Sequence, residues 1–282
     1  MSQPLLSKEE YDAFRHFLEE SCGIVLGDNK HYLVTSRLNR LTEEFSFDSL
    51  SKMLEALRQN KNQVLRERII DAMTTNETSW FRDIYPFEIL KKDLLPELAA
   101  QKPNPLRIWS AASSYGQEAF SIAIAIKEFQ QNRPGVWNGN TDILGTDISP
   151  TVIRIARDAK YDELSLGRGL SAERRQRYFT DNGDGGWTVK PEIRNMARFS
   201  EMNLLKSFSN LGKFDLIFCR NVLIYFSSPI KTDILNRMTQ VLKPGGYLFL
   251  GGSESPTGYS QAYEMCRFPD GVVYRLKENW KA

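Results

Sequence analysis

Apolar side chains along the first 75 residues recur three and four positions apart, the period of a helix with one buried face. Ser7, with Glu10 three residues on, makes a capping box ahead of Tyr11, Phe14 and Leu18, and Gly23 supplies a stop. Leu33, Leu38, Leu41 and Phe45 mark a second helix in "HYLVTSRLNRLTEEF". Asp48 is placed to cap a third in "SLSKMLEALRQ", and "NQVLRERIIDAM" reads as a fourth. No segment here alternates as a strand does. The pattern predicts an all-helical N-terminal domain over residues 1–75.

The period changes beyond Phe87. "LKKDLLPELAAQKPNP" reads as a helix running into a Pro-broken stretch, so residues 76–105 form a linker with a connecting helix. From Leu106 short apolar runs alternate with helices. The predicted strands are 106–111 ("LRIWSA"), 141–148 ("TDILGTDI"), 214–221 ("FDLIFCRN"), 246–252 ("GYLFLGG") and 271–276 ("GVVYRL"), with helices over 116–131, 150–159 and 229–242. Ser149-Pro150 and Ser228-Pro229 each offer a cap followed by a proline at the first helical position, and "KPGG" (243–246) ends the last helix and opens a strand. The alternation predicts a mostly parallel sheet covered on both faces, in a domain over residues 106–282. Residues about 160–200 break it: "DGG" between "RYF" and "WTV" marks a hairpin or small inserted β subdomain.

Composition narrows the picture. In 282 residues, 41% hydrophobic and 26% charged side chains are ordinary for a chain with a sizeable core. The net charge is +2, from 37 basic and 35 acidic residues, where a wholesale polyanion binder is usually more basic. Cys22, Cys219 and Cys266 form no CxxC, and neither His16 nor His31 adjoins a cysteine cluster, so no metal site is expected. The N-terminal stretch shows no signal-peptide pattern and no apolar run approaches membrane-spanning length; both point to a cytoplasmic protein.

Candidate chemistry gathers at the predicted carboxyl ends of strands, where doubly wound folds bind ligands. The turn after the first strand, "SAASSYGQEAF", is glycine-poor, with Ala112, Ser114 and Gly116 where a phosphate-binding turn has glycines, and Glu118 at the helix mouth repels phosphate. Glu118 either complements the helix dipole or receives a ligand bearing a cationic group or donors. Asp147, at the end of "LGTD", either caps the next helix or accepts ribose hydroxyls. A ribose acceptor beside a phosphate-averse turn favours S-adenosylmethionine over a dinucleotide. "FCRNVLIYF" (218–226) carries Arg220, Asn221 and Tyr225, "TTNETSWFRD" (74–83) is dense in hydrogen-bonding groups, and Asn203 follows a further short strand; Cys219 reads as core.

The ordered motifs "NETSWFRD", "RIWSAASSYGQEAFSIA", "GTDIS", "MNLL" and "FCRNVLIYF" together resemble the CheR family, receptor methyltransferases of chemotaxis, over nearly the whole chain. The resemblance implies an α/β fold: a class I S-adenosylmethionine-dependent methyltransferase (Rossmann-like) sheet whose last strand is antiparallel, with a small all-α N-terminal domain and an inserted small β subdomain. It implies transfer of methyl from S-adenosylmethionine to receptor glutamates, with S-adenosylhomocysteine as product and no metal. It implies cofactor contacts from Asn76, Thr78, Arg82, Glu118, Asp147, Asn203, Arg220 and Asn221, with Leu204 and Val222 flanking the adenine and Tyr225 facing the transferring methyl. Residues 76–105 then carry part of the cofactor site.

A glutamate, with an ordinary pKa of about 4.3, is ionised at neutral pH and needs no general base. Alignment and removal of water then supply the rate, and Arg82 is the candidate for gripping a carboxylate, the substrate's or the cofactor's. Arg37 and Arg40, three apart on one helix, are the candidate partner surface, with Arg174, Arg175 and Arg177 as a second basic run. The expected partner is the cytoplasmic helical domain of methyl-accepting receptors, met by a monomer, with no nucleic acid and no direct membrane insertion. The inserted loop "TDNGDGGWTV" is short, which leaves tethering to a receptor C-terminal peptide open. Two rivals remain: a nucleic-acid methyltransferase, against which "RNVLIYF" lacks the prolines of an amino-methylating motif, and a non-catalytic module that senses the cofactor.

Overall fold

The computed structural model describes residues 6–59, 62–101 and 103–280. The chain divides into two compact units: residues up to Thr75 together with Tyr225–Ile230, and Asn76–Ile224 together with the chain from Lys231 onward.

In the first unit α1 (Lys8–Cys22) starts at Ser7 with the reciprocal Ser7–Glu10 capping box and stops at Gly23, φ 81°. It is followed by α2 (His31–Glu44), α3 (Leu50–Arg58) and α4 (Gln63–Met73). Two local expectations shift by one residue. Ser49, not Asp48, caps α3, because Ser49 holds the extended backbone that lets its side chain accept from Lys52 N–H. On α2 the inward stripe is Val34, Leu38 and Leu41, and Leu33 is only half-buried. Leu18, Val34, Leu38, Met53, Leu65 and Ile69 are fully buried, each removing from water the apolar area that stabilises by roughly 1.5–3 kcal/mol.

The second unit opens with α5 (Tyr85–Ile89), one π-helical turn (Leu90–Leu94) and α6 (Leu95–Gln101). Pro96 has no N–H for the helix ladder, and the widened turn directly precedes it. Then come β1 (Leu106–Ala111), α7 (Gln117–Asn132), β2 (Thr141–Asp147) and α8 (Pro150–Asp158). The insertion holds β3 (Lys160–Asp162), α9 (Glu163–Gly167), α10 (Ala172–Tyr178), β4 (Phe179–Asp181) and β5 (Gly186–Val189). After α11 (Pro191–Arg194) the chain runs through β6 (Ala197–Glu201), β7 (Phe214–Cys219), α12 (Ser228–Thr239), β8 (Leu242–Leu250), β9 (Tyr263–Phe268) and β10 (Gly271–Leu276).

The main sheet has the order β6-β2-β1-β7-β8-β10-β9. β6, β2, β1, β7 and β8 are parallel, and β10 enters antiparallel between β8 and β9. Every residue of β7 is buried, as a central strand covered on both faces requires. β9 lies at the edge, half of its side chains exposed (Glu264, Met265 and Arg267), so it lacks the apolar run that marks its neighbours. "KPGG" does not precede β8 but lies inside its first half, where the β7–β8 register breaks and a side chain on Gly246 would meet the Asp215 carbonyl at 2.8 Å. The inserted subdomain is a three-stranded antiparallel sheet in the order β3-β5-β4, one strand more than a hairpin.

Candidate active site

The strand order reverses between β1 and β7, and the parallel strands bring Ala111, Asp147, Cys219 and Leu250 to one rim. The turn leaving β1 is left-handed at Ala112 (φ 59°), Ser114 (φ 51°) and Gly116 (φ 91°). Two non-glycine residues there cost about 1–3 kcal/mol each, and fixed contacts hold them. Ser113 N–H donates to the Thr146 carbonyl at 2.8 Å, Ser114 N–H to Asp147 Oδ2 at 2.9 Å, and Ser114 Oγ to the Asn76 carbonyl at 3.0 Å. Gly116 alone must be glycine: a Cβ would lie 3.0 Å from that of Ala156 and 3.1 Å from Phe199, in a conformation side chains disfavour.

Asp147 is buried, and its carboxylate ties the start of α8 to the first turn. Oδ1 accepts from Ser149 N–H at 3.1 Å, beside the Ser149 cap of α8, while Oδ2 fastens the first turn. Its carbonyl accepts from Met202 N–H at 2.8 Å, which brings the segment after β6 alongside. There Asn203 Oδ1 accepts from Leu205 N–H at 2.9 Å, and the carbonyl of buried Leu204 is gripped by Arg237 at 2.7 Å.

Arg220 is a hub of hydrogen bonds at the end of β7. Its side chain is 1% exposed; Nη1 donates to Glu118 Oε2 at 2.9 Å, and Nη2 donates to Asp83 Oδ2 at 2.7 Å and to the Arg82 carbonyl at 2.8 Å. Glu118 also accepts from Ser110 Oγ at 2.8 Å. One buried guanidinium therefore ties the first turn's helix to the 82–83 segment. Removing either side of such a pair strands a buried charge, at a cost of about 3–5 kcal/mol. Asn221 follows in the left-handed region, φ 59°, where asparagine is among the tolerated residues.

The 76–84 segment is the most contorted at the rim, with Phe81, Asp83 and Ile84 all at positive φ. Trp80 anchors it. The indole is 1% exposed, packs edge-on to Tyr161 and Phe179, and donates from Nε1 to the Ser165 carbonyl at 3.2 Å, all within the inserted subdomain. Phe81 N–H donates to Ser121 Oγ, and the Arg174 guanidinium lies 3.7 Å from the Phe81 ring centre while binding Glu128 through both Nε and Nη2. Burial raises the Glu128 carboxyl, but the Arg174 hydrogen bond and charge, with Lys91, outweigh it and hold the group below the usual range. Arg82 is half-buried with Nη1 on the Glu77 carbonyl at 3.0 Å; Asn76 and Thr78 are half-buried beside it in sequence.

Tyr225 belongs to the helical unit, where its carbonyl accepts from Val25 N–H at 2.9 Å. Arg37 closes the end of α4, donating to the carbonyls of Met73 (2.7 Å) and Thr74 (3.0 Å), whereas Arg40 is exposed. Arg174 and Arg175 do not form a free basic run, since Arg174 holds Glu128 and Arg175 holds Glu163 under the Trp187 ring. Cys219 is buried, and burial pushes its thiol well above the ordinary range, in keeping with a core role. Sequence reading missed Glu254, whose carboxylate collects three backbone amides at the ends of β7 and β8. The only sequence signal was an acid two residues past "GG" at a strand's carboxyl end.

A parallel sheet with an antiparallel last-in-chain strand, an acid ending β2 and an acid-bearing, glycine-poor first turn define a class I S-adenosylmethionine-dependent methyltransferase. The donor set is compatible with that cofactor: the rim carries the carboxylates of Glu118 and Asp147, groups that would suit a cationic end and hydroxyls, and the buried Gln117 Oε1 has no hydrogen-bond partner among the described residues. The profile "CheR methyltransferase, SAM binding domain" matches residues 76–272 and "CheR methyltransferase, all-alpha domain" matches residues 9–74. The chain belongs to the CheR methyltransferase family. "Chemotaxis protein methyltransferase 1" of Vibrio cholerae is 52% identical over 277 residues, covering 98% of this chain and 100% of that protein. "Chemotaxis protein methyltransferase 1" of Pseudomonas aeruginosa is 51% identical over 269 residues, covering 95% and 98%, and "Chemotaxis protein methyltransferase Cher2" of Pseudomonas putida is 49% identical with the same coverage.

Proposed function

We propose that this protein methylates glutamate side chains of chemotaxis receptors, forming the glutamyl methyl esters of sensory adaptation. Bound S-adenosylmethionine would supply a methyl on a positive sulfur; an ionised carboxylate oxygen bonds to that carbon in line as the carbon–sulfur bond breaks and its electron pair leaves with the sulfur of S-adenosylhomocysteine. The observation that carries this reading is Glu118, set rigidly by Ser110 and Arg220 at the mouth of α7. A fixed carboxylate there attracts a positively charged donor and disfavours a dinucleotide's phosphates.

The incoming glutamate is already ionised near pH 7, so no residue has to take a proton from it. Asn76, Thr78 and Asn203 orient the cofactor with Asp147, while Leu204 and Val222 flank its adenine. Arg82, anchored on the Glu77 carbonyl by one nitrogen, grips a carboxylate with its remaining donors. Tyr225 faces the transferring methyl, as the family resemblance implies. Arg40, and Arg37 beside it in α2, meet the acidic helices of the receptor's cytoplasmic domain, and the protein acts as a cytoplasmic monomer.

Incubating the full chain with receptor cytoplasmic fragments and S-adenosylmethionine, then mapping the product by mass spectrometry, tests the reading. Methyl groups are expected on glutamates. Modification confined to lysine or arginine, or none at all, contradicts it.

A further inference from the structure

We propose that Glu254 is a positioning residue for the cofactor: it fixes the backbone of Asn221 and of the turn that runs to Ile224. This rests on the proposed function, with Val222 against the adenine, and on the cofactor contact that the family resemblance implies for Asn221.

The Glu254 carboxylate is buried, yet no cation pairs with it among the described residues. Its partners are three peptide amides: Asn221 N–H at 2.7 Å and Gly251 N–H at 2.7 Å on Oε2, and Ile224 N–H at 3.2 Å on Oε1. β7 and β8 are neighbours in register, Cys219 opposite Leu250, so Asn221 and Gly251 are the groups at which the two strands part. Past that point the sheet ladder no longer holds either chain, and the carboxylate replaces it. Asn221 is left-handed and residues 221–222 have no regular structure before the short turn Leu223–Tyr225, so their course depends on such external contacts. Gly251 completes the arrangement. A Cβ on it would lie 2.7 Å from Glu254 Oε2, 2.8 Å from Asn221 Nδ2 and 3.0 Å from Asn221 N. Only glycine lets the carboxylate and the asparagine occupy the same corner. Charge-assisted hydrogen bonds to amides are among the stronger ones available, and here they converge on a residue assigned to the cofactor, not on a distant loop.

Glu254→Gln separates positioning from bulk. The glutamine keeps the shape, but its NH2 faces an amide donor whichever way it turns: Ile224 in one orientation, Asn221 and Gly251 in the other. Binding of S-adenosylhomocysteine to the full chain, measured by calorimetry, is expected to weaken about tenfold or more. The Michaelis constant for S-adenosylmethionine is expected to rise similarly, with turnover at saturating cofactor within a few-fold of wild type. Because Glu254 acts through Asn221, the losses in Glu254→Gln and Asn221→Ala are expected not to add in the double variant.

A Glu254→Gln protein that binds S-adenosylhomocysteine like wild type, or losses that add fully, overturns the proposal. If that variant does not fold, Gly251→Ala carries the test, since it keeps the charge but crowds the same two groups. Weakened binding coupled to Asn221→Ala supports the proposal, and unchanged binding overturns it. A wild-type protein that fails to bind S-adenosylhomocysteine or to esterify receptor sinks the underlying reading and this inference with it. Wild-type success beside an indifferent Glu254 sinks the inference alone.

Discussion

Arg82 and Arg220 stand 138 residues apart in the chain yet meet through the Arg82 carbonyl, and they do different work. Arg220 reaches Glu118 and Asp83 across 102 and 137 residues of chain and is sealed from solvent. No spacing rule reveals such a pairing, so its motif flagged the residue while its partners stayed hidden. Glu254 was invisible for the same reason: its donors are backbone amides, which carry no sequence. Asp147 and Glu118 were legible because their positions, a strand end and a helix mouth, are themselves sequence patterns. Arg82→Ala is expected to lose most methyl transfer, about a hundredfold or more for a lost charge-assisted carboxylate contact, while the melting temperature moves by only a few degrees. Wild-type turnover in that variant removes Arg82 from the reaction. Gly116→Ala places a methyl group 3.0–3.2 Å from Ala156, Phe199 and Tyr161 at positive φ. It is expected to destabilise the protein by about 1–3 kcal/mol, as a denaturant midpoint would show.

Among the elements, the insertion does more for the rim than its break in periodicity suggests. Trp80 plugs the small sheet, and Arg174 on α10 clasps Phe81 and Glu128, so the segment 76–84 is braced by β3, β4 and α10. Trp80→Ala is expected to cost about 3–5 kcal/mol and to raise the Michaelis constant for cofactor, because the same indole holds the segment carrying Asn76, Thr78 and Arg82. Thermal unfolding and initial-rate kinetics on one preparation check both halves. The central strands were legible because burial on both faces writes an apolar run into the chain. β9 and β3 were not: one is an exposed edge, the other three residues long, and neither needs an apolar pattern to pair. The α3 cap moved by one residue because Asp and Ser are equally good caps and only backbone geometry chooses between them.

For the whole molecule, near-balanced charge hides local networks. Asp142 is raised by burial, but Arg198 and Arg107 outweigh that and hold it below the ordinary range, as Arg174 and Lys91 do for Glu128. A carboxyl lowered on folding contributes stability that is fully present above its unfolded value, about 4, and lost as pH falls through the lower folded value. The urea midpoint is therefore expected to fall on acidification below about pH 4, and Glu128→Gln to flatten that fall while lowering the midpoint at neutral pH. An acid limb of unchanged steepness counts against the network. On the helical unit, Arg40→Glu is the clean probe of receptor steering, since Arg37 also holds the end of α4. The apparent Michaelis constant for receptor is expected to rise several-fold at low salt and less at high salt; an unchanged value discards the surface.

The most direct test of carboxylate methylation is the lability of the bond that forms. Receptor fragment and RNA are offered in separate reactions with methyl-labelled S-adenosylmethionine, and each product is treated with mild alkali. Label is expected on the receptor alone, released as methanol. Label on RNA, or on receptor but stable to alkali, contradicts transfer to a glutamate carboxylate.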